Sequence, residues 1–411
     1  MKKNKILNNT IMLMIFNISK IIFPFLTLPY LTRVLTTDTY GVVAYVKTVM
    51  NYMQIFVDFG FVLSATKDIV KCRNDKAKME QVVGDTMVAR IILGLVGFII
   101  VIALTIALPI LRTNILYTML SYITVFLSIF LMDFLFRGLE RMHVITIRFI
   151  VMKVISTILT FVLIKNNSNL MLIPILDILS SLVAIVLVFI EEKKIKIKMK
   201  FSGYRNAIKS IKDSFIYFLS DVSSTSFNAL STIVIGIYIT TTEVAYWGIC
   251  MQVIGTIQAC YMPISGGVYP EMIKSKNINI IRKAVKIFLP IVTVGCIFAY
   301  FLAGTGLMIL GGKEYLAAVP VFRILIPSLF FGFLAIMYGW PTLGAIGKTK
   351  ETTLSTIISI GVHIVLLIIL IITDSFNLIN IAIVRTITEV VLFGTRYYFY
   401  RKYKHLFSEG V

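Results

Sequence analysis

Lys47, Asn51, Gln54 and Asp58 recur at intervals of four, three and four within an otherwise apolar stretch. On a helix that spacing stacks all four side chains on one face. Asp221, Thr225, Asn228 and Thr232 repeat the pattern later in the chain. Asn17, Lys20, Pro24 and Thr27 run at three, four and three, and Lys153, Thr157 and Thr160 at four and three. Ammonium and carboxylate groups aligned in this way can bind an anion, hold a cation or carry a proton. Placed in hydrocarbon, each charge costs at least about 2.5–3.5 kcal/mol, so these faces are expected to point into a helix bundle or a wet cavity. Lys20, Lys47, Arg90, Lys153, Arg323 and Arg385 lie inside apolar segments and outnumber the clearest acids there, Asp177, Asp221 and Glu389. An excess of buried positive charge asks for an anionic partner, and a phosphate supplies one. The alternative is interhelical glue, in which Lys20 or Lys47 pairs with Asp58 or Asp221.

The elements that carry these stripes span a membrane. Mean hydropathy is +0.91, with 58% hydrophobic and 15% charged residues, and helices apolar all round need lipid or a very large core. About twelve segments approach the length that crosses a bilayer: 7–32, 40–63, 82–109, 114–136, 143–164, 169–190, 214–239, 244–269, 286–310, 316–340, 352–373 and 377–400. With the N-terminus inside, inner segments hold thirty of the 40 basic residues, and the outer side holds only Arg33, Arg112, Lys165 and Lys313. Both termini are therefore expected in the cytoplasm. The formal net charge of +20 falls in short juxtamembrane loops, where topology and anionic headgroups account for it without nucleic acid.

The apolar run after MKKNK continues through Pro24 and Pro29 without a small-residue cleavage site and reads as an uncleaved first span. Cys72, Cys250, Cys260 and Cys296 include no CxxC pair and read as packing residues, with no disulfide, metal or cofactor expected. The longest and most basic connection, 191–213, divides the chain into an N-terminal lobe, 1–190, and a C-terminal lobe, 214–411, of six spans each. Both lobes then enter the membrane in the same direction. A weak internal echo agrees: Leu35-Thr36-Thr37-Asp38 is answered by Ile239-Thr240-Thr241-Thr242. Pro24 and Pro327, well inside spans 1 and 10, are expected to bend them. Arg385 and Glu389, four apart, should pair with each other. His363 reads as a hydrogen-bonded packing residue, with proton relay as its alternative. The outer loops are too short for a catalytic domain, and no HExxH, Walker or GxSxG motif is present, so no enzyme is expected.

Several strings resemble those of the Wzx-type polysaccharide flippases, in the superfamily that also holds MATE exporters and lipid II flippases. They are LPYLTRVLTTDTYG (28–41), DFGFVLSATKDI (58–69), DFLFRGLERM (133–142), YMPISGGVYPEM (261–272), GGKEYLAAVPVFRIL (311–325) and GWPTLGAIGKTKE (339–351). The resemblance runs in order from Ile6 to about Thr395. It implies an all-α, MATE-like polytopic membrane protein of two six-helix lobes in the bacterial cytoplasmic membrane. By alternating access through a cationic central cavity, such a protein would carry an undecaprenyl-diphosphate-linked oligosaccharide to the outer leaflet for surface polysaccharide biosynthesis. Lys20, Lys47 and Arg323 become candidates for the diphosphate. Asn17, Asn51, Gln54, Asn228 and Gln252 become candidates for sugar hydroxyls, and Asp58 and Asp221 for a coupling H+ or Na+. Membrane lipids and a polysaccharide polymerase complex are the other partners it implies. The rival readings are a MATE-like exporter of cations, which favours an acidic cavity, and a membrane enzyme of glycan assembly, which needs positioned catalytic groups near an exposed face.

Overall fold

The computed structural model describes residues 2–408, with the side chains of 8–219, 221–222 and 231–408. Among them every regular element is helical, and strand-like pairing is confined to one bridge between Asn277 and Ser408. The chain forms two compact units, Met1–Val222 and Ser223–Val411, and the boundary falls inside a helix.

The first unit begins with α1 (Lys2–Val34), in which Pro24 and Pro29 sit inside the helix. Met14, Ile18, Ile22 and Leu26, spaced every four residues, form an exposed apolar stripe on it, as a lipid-facing surface requires. Then follow α2 (Thr37–Asp58), α3 (Phe61–Lys71), α4 (Lys76–Ala107), α5 (Pro109–Thr113) and α6 (Ile115–Leu127). A 3₁₀ turn, Ser128–Leu131, separates α6 from α7 (Asp133–Gly138). The unit closes with α8 (Met142–Leu163), α9 (Leu172–Ile195) and most of α10 (Tyr204–Tyr238). Helix α8 packs between α1 and α9, and α6 lies against α9 and α2.

Two spans of this unit are broken where the hydropathy runs straight through. The second span, expected over 40–63, stops at Asp58, because Phe59 (φ 41°) and Gly60 (φ 74°) turn left-handed and start α3 in a new direction. A Cβ on Gly60 would stand 2.5 Å from Tyr217 Cβ, so only glycine both turns here and admits α10. The fourth span, expected over 114–136, breaks at the 3₁₀ turn and at Met132 (φ 49°).

Of the stretch 191–213, only 196–203 lies between helices. It is fastened to α4. Lys200 donates its backbone N–H to the Glu80 carbonyl (3.1 Å), and its ammonium meets the Glu80 carboxylate at 2.8 Å. The Lys198 N–H donates to the same carboxylate (3.1 Å), and the Ser202 N–H to Asp85 Oδ1 (2.9 Å). The Ser202 hydroxyl donates to Asp85 Oδ2. A Cβ on Gly84 would collide with the Lys200 carbonyl oxygen. Gly84→Val is therefore expected to destabilise the fold by about 1–3 kcal/mol through overpacking. Gly255→Ala, which meets no atom within 4 Å, should be neutral. Thermal unfolding of the two purified variants checks the pair, and equal midpoints would contradict the packing argument.

The second unit takes the end of α10, then α11 (Thr241–Ala259), α12 (Met262–Ser275), α13 (Ile278–Phe301), α14 (Ala303–Gly311), α15 (Val319–Leu325), α16 (Pro327–Tyr338), α17 (Thr349–Ile372) and α18 (Leu378–Lys402). Here α18 packs against α15, α16 and α17, and α13 lies along α16. The tenth span bends by 41° between Leu325 and Pro327, where a prolyl nitrogen cannot continue the hydrogen-bond ladder. The threonine echo is structural. Thr36 caps α2 through the Thr39 N–H, and Thr240 caps α11 in a full capping box with Glu243.

Among the described residues, eight helices are long and apolar enough to cross a membrane by themselves, or up to nine if the bent pair counts as one. Helices α2, α10 and α11 complete a set of roughly twelve; α2 carries Lys47 and Asp58 within its 22 residues. The protein is an all-α polytopic membrane protein.

Candidate functional site

A cavity of about 540 Å³ lies within the first unit, walled by one stripe from each of five helices. Helix α2 presents Lys47, Asn51, Gln54 and Asp58, the stripe read from the sequence, and α1 presents Lys20, Pro24 and Thr27. Helix α8 adds Lys153, Ser156, Thr157 and Thr160, and α9 adds Asp177 and Ser181. Helix α6 supplies Tyr117, Ser121 and Thr124, and the 3₁₀ turn that follows it supplies Ser128, at the same spacing of four, three and four as the α2 stripe. This stripe carries no charge and so does not stand out in the sequence, although its period is visible there. Thr124 Oγ1 is buried and lacks a hydrogen-bond partner among the described residues.

Two arginine–carboxylate pairs form one end of this site, and both clamp the break in the fourth span. Arg90 on α4 donates to Asp58 Oδ1 (2.5 Å) and to the Ile129 carbonyl (3.0 Å). Arg148 on α8 donates to Asp133 Oδ1 (2.5 Å) and to the Leu131 carbonyl (2.6 Å). The 3₁₀ turn frees backbone carbonyls that a straight helix would use, and the guanidinium forks collect them. Gln54 donates to both Asp58 Oδ2 (3.0 Å) and Ser128 Oγ (2.9 Å). A smaller cavity of about 70 Å³, lined by Gln54, Asp58, Arg90, Ser128 and Asp133, adjoins the clamp. The partner of Asp58 is thus Arg90, where the sequence left Lys20 or Lys47 open. Arg148 is a buried member of the wall.

The remaining charges lie in two groups. The electrostatic neighbours of Lys47 are Lys153 and Asp177, and Asp177 accepts the Ser156 hydroxyl (2.9 Å). Lys20 sits over the Phe16 ring at 4.5 Å and has Asp133, Arg137 and Asp58 as electrostatic neighbours. With the arginine pairs matched, Lys20, Lys47 and Lys153 stand against Asp177.

Other candidates lie elsewhere. Asn17 is exposed and not part of the cavity wall, and Asp221 is half-buried on α10 with Asp58 as an electrostatic neighbour. Gln252 and Arg323 belong to the second unit, where Arg323 donates to the Tyr300 carbonyl (3.2 Å) and lies over the Tyr300 ring. The Asn228 side chain lies outside the described residues. Arg385 and Glu389 pair at 2.8 Å as their spacing predicts, and His363 is fully buried between two hydroxyls.

Residues 6–276 match the model of a family described as "Polysaccharide biosynthesis protein". The chain belongs to this polysaccharide biosynthesis family. A relative from Escherichia coli (strain K12), named "Putative O-antigen transporter", is 24% identical over 97% of both chains. A Shigella dysenteriae relative of the same name is 23% identical over 75% of this chain and 78% of its own. The fold of this family member is also that of solved structures of the MATE and lipid II flippase type. A lipid II flippase, MurJ, in an inward closed conformation aligns with a TM-score of 0.73 at 15% identity, over 96% of this chain and 87% of its own. An inward-facing multidrug MATE transporter of the MOP superfamily aligns at 0.71 and 16% identity, over 93% and 96%. The expected Wzx-type membership and MATE-like fold are borne out.

Proposed function

We propose that this protein is a flippase that carries an undecaprenyl-diphosphate-linked oligosaccharide repeat unit from the inner to the outer leaflet of the bacterial cytoplasmic membrane. Its product feeds surface polysaccharide biosynthesis. The observation that carries this reading is the polar cavity of the first unit, in which lysines outnumber the carboxylates left after the arginine pairs form. A diphosphate meets charge-assisted donors in Lys47, Lys153 and Lys20. Sugar hydroxyls meet Asn51, Gln54, Ser121, Ser156 and Thr157, while the polyprenyl tail stays in lipid. Arg323, Asn17, Asn228 and Gln252 remain candidates for further contacts, and Asp221 for an H+ or Na+ driving the cycle, whereas Asp58 could take one only by releasing Arg90. Export of cationic drugs fits less well, since the Asp58 and Asp133 carboxylates are occupied by guanidinium groups. The names of the two relatives and the MurJ-like fold agree with this reading. Membrane lipids surround the exposed apolar stripes, and a polysaccharide polymerase complex is the partner that would take up the product.

Purified protein in liposomes loaded with the lipid-linked oligosaccharide tests the assignment. Transfer of the glycan to the opposite leaflet is expected, and transport of drug cations in its place would refute it. Orientation has its own test. In a background without Cys72, Cys250, Cys260 and Cys296, Lys209→Cys is expected to stay unlabelled by an impermeant maleimide in intact cells, and Thr373→Cys to react. The inverse pattern would reverse the topology that the basic residues imply.

A further inference from the structure

His363 sits at the middle of α17 with no exposed surface, and both ring nitrogens meet hydroxyls from other spans. Ser231 on α10 lies 2.9 Å from Nε2, and Thr388 on α18 lies 2.8 Å from Nδ1. The Thr388 hydroxyl donates to the Val384 carbonyl (2.8 Å), so its oxygen is left to accept from Nδ1–H. That fixes the neutral tautomer, with Nε2 accepting the Ser231 hydroxyl proton. If a proton is added at Nε2, the new N–H donates to Ser231 Oγ. The serine hydroxyl needs only to rotate toward the carbonyl one helical turn back. No heavy atom must move between the two states. A carbonyl and an amide N–H would instead have locked the ring in one form.

Packing alone does not require the imidazole. Helices α8 and α17 are the fifth spans of their units and begin at Met142 and Thr349, 207 residues apart, so His363 holds the position in α17 that Ser156 holds in α8. Ser156 ties α8 to α9 through a hydroxyl bond to Asp177, much as His363 ties α17 to α18. A small hydroxyl therefore serves the same join in the first unit. The charged groups around His363 are Arg385 and Glu389 on α18, which pair at 2.8 Å, and Gln258 of α11 donates to the same Glu389 oxygen (3.4 Å). Arg385 is an electrostatic neighbour of the ring. The facing side of α10 offers the hydroxyls of Ser231 and Thr232, and α11 the neutral Trp247, whose Nε1 donates to Thr232 Oγ1 (3.1 Å).

We propose that His363 is a proton-carrying site of the second unit. Hydronium on one side of the membrane gives one proton to Nε2, leaving water, and the imidazolium returns that proton to water on the other side. The cycle links glycan movement to proton flux and in that respect rests on the flippase reading.

Two measurements test it separately. In a Trp340→Phe background, Trp247 is the sole tryptophan and stands one hydrogen bond from the residue after Ser231. Its emission is expected to change in a single titration step as pH falls and the imidazole takes up its proton. The transition should vanish in both His363→Gln and His363→Asn, whose amides keep a hydrogen bond but do not titrate. A transition that survives in either folded variant, or that is absent from the parent, overturns the proposal. In liposomes, one pH unit of gradient should let the parent accumulate glycan about tenfold per coupled proton, while His363→Gln reaches only equal distribution. Gradient-driven accumulation by His363→Gln overturns it as well. If the parent moves no glycan yet its Trp247 titration is lost in both variants, the proton site stands and the substrate assignment fails.

Discussion

Lys47→Ala is expected to abolish surface polymer in cells while the protein still reaches the membrane. Lys47 lines the first-unit cavity midway along α2 with Lys153 and Asp177 as its electrostatic neighbours, and three lysines face one free carboxylate there, so the local charge balance favours an incoming anion. A hydrogen bond from an ammonium to a phosphate contributes about 1.5–3 kcal/mol, which corresponds to a loss of about 10- to 100-fold in transfer rate or affinity. Lys20→Ala should act in the same direction. Arginine at either position should retain part of the activity, because it keeps the charge but presents a planar fork in place of a compact ammonium. Removing Lys47 also relieves repulsion with Lys153, so the alanine variant should be no less stable than the parent. Polymer on intact cells and flipping in liposomes check the prediction, and normal polymer in both alanine variants would place these lysines outside the substrate path.

Arg90→Ala carries the largest expected loss of stability. The substitution removes the bond to Asp58 at 2.5 Å and the bond to the Ile129 carbonyl at 3.0 Å. It leaves a mostly buried carboxylate without its cation and a broken helix without its clamp. Breaking such a pair from one side costs about 3–5 kcal/mol. The double variant Arg90→Leu with Asp58→Asn should recover much of that loss, because no charge is then stranded and Gln54 can still bond the amide. Thermal unfolding in detergent and yield of monodisperse protein measure both. An Arg90→Ala protein as stable as the parent would show that Asp58 is neutralised in some other way.

The charged face of α2 was legible in the sequence because a single helix sets it: four residues at intervals of four, three and four can share only one side. The threonine echo was legible for a similar reason, since an N-cap is a local device of four residues. Partner choice was not. Whether Asp58 meets Lys20, Lys47 or Arg90 depends on how three helices pack, and Arg90 prevails because its fork also satisfies the Ile129 carbonyl. That carbonyl exists as an acceptor only because the fourth span breaks, and a break at Met132, a residue with no turn preference, leaves no mark on hydropathy. Arg148 was hidden for another reason. It stands close to the start of α8, and basic residues are usual near the ends of spans, so its charge alone did not mark it as part of the wall. The second-span break at Phe59-Gly60 had a visible sign in Gly60, but the apolar run on either side overrode it.

The fastening of 196–203 to α4 works as a ruler. From Glu80 to Asp85 is five residues of helix, about 7.5 Å at 1.5 Å per residue. From Lys200 to Ser202 is two residues of chain, at most about 6.6–7.2 Å when extended. The two lengths agree closely enough for both acids to hold the strand at once. One residue added or deleted between the capture points would slide one of them by about 3.3–3.6 Å, farther than a hydrogen bond can stretch. A polar, basic connection of this kind looks free to vary in length, yet here its length is set as strictly as that of the helix beneath it. Insertions, tags and cleavage sites therefore belong on other turns, such as the one at Cys72 to Asp75, and not in this strap.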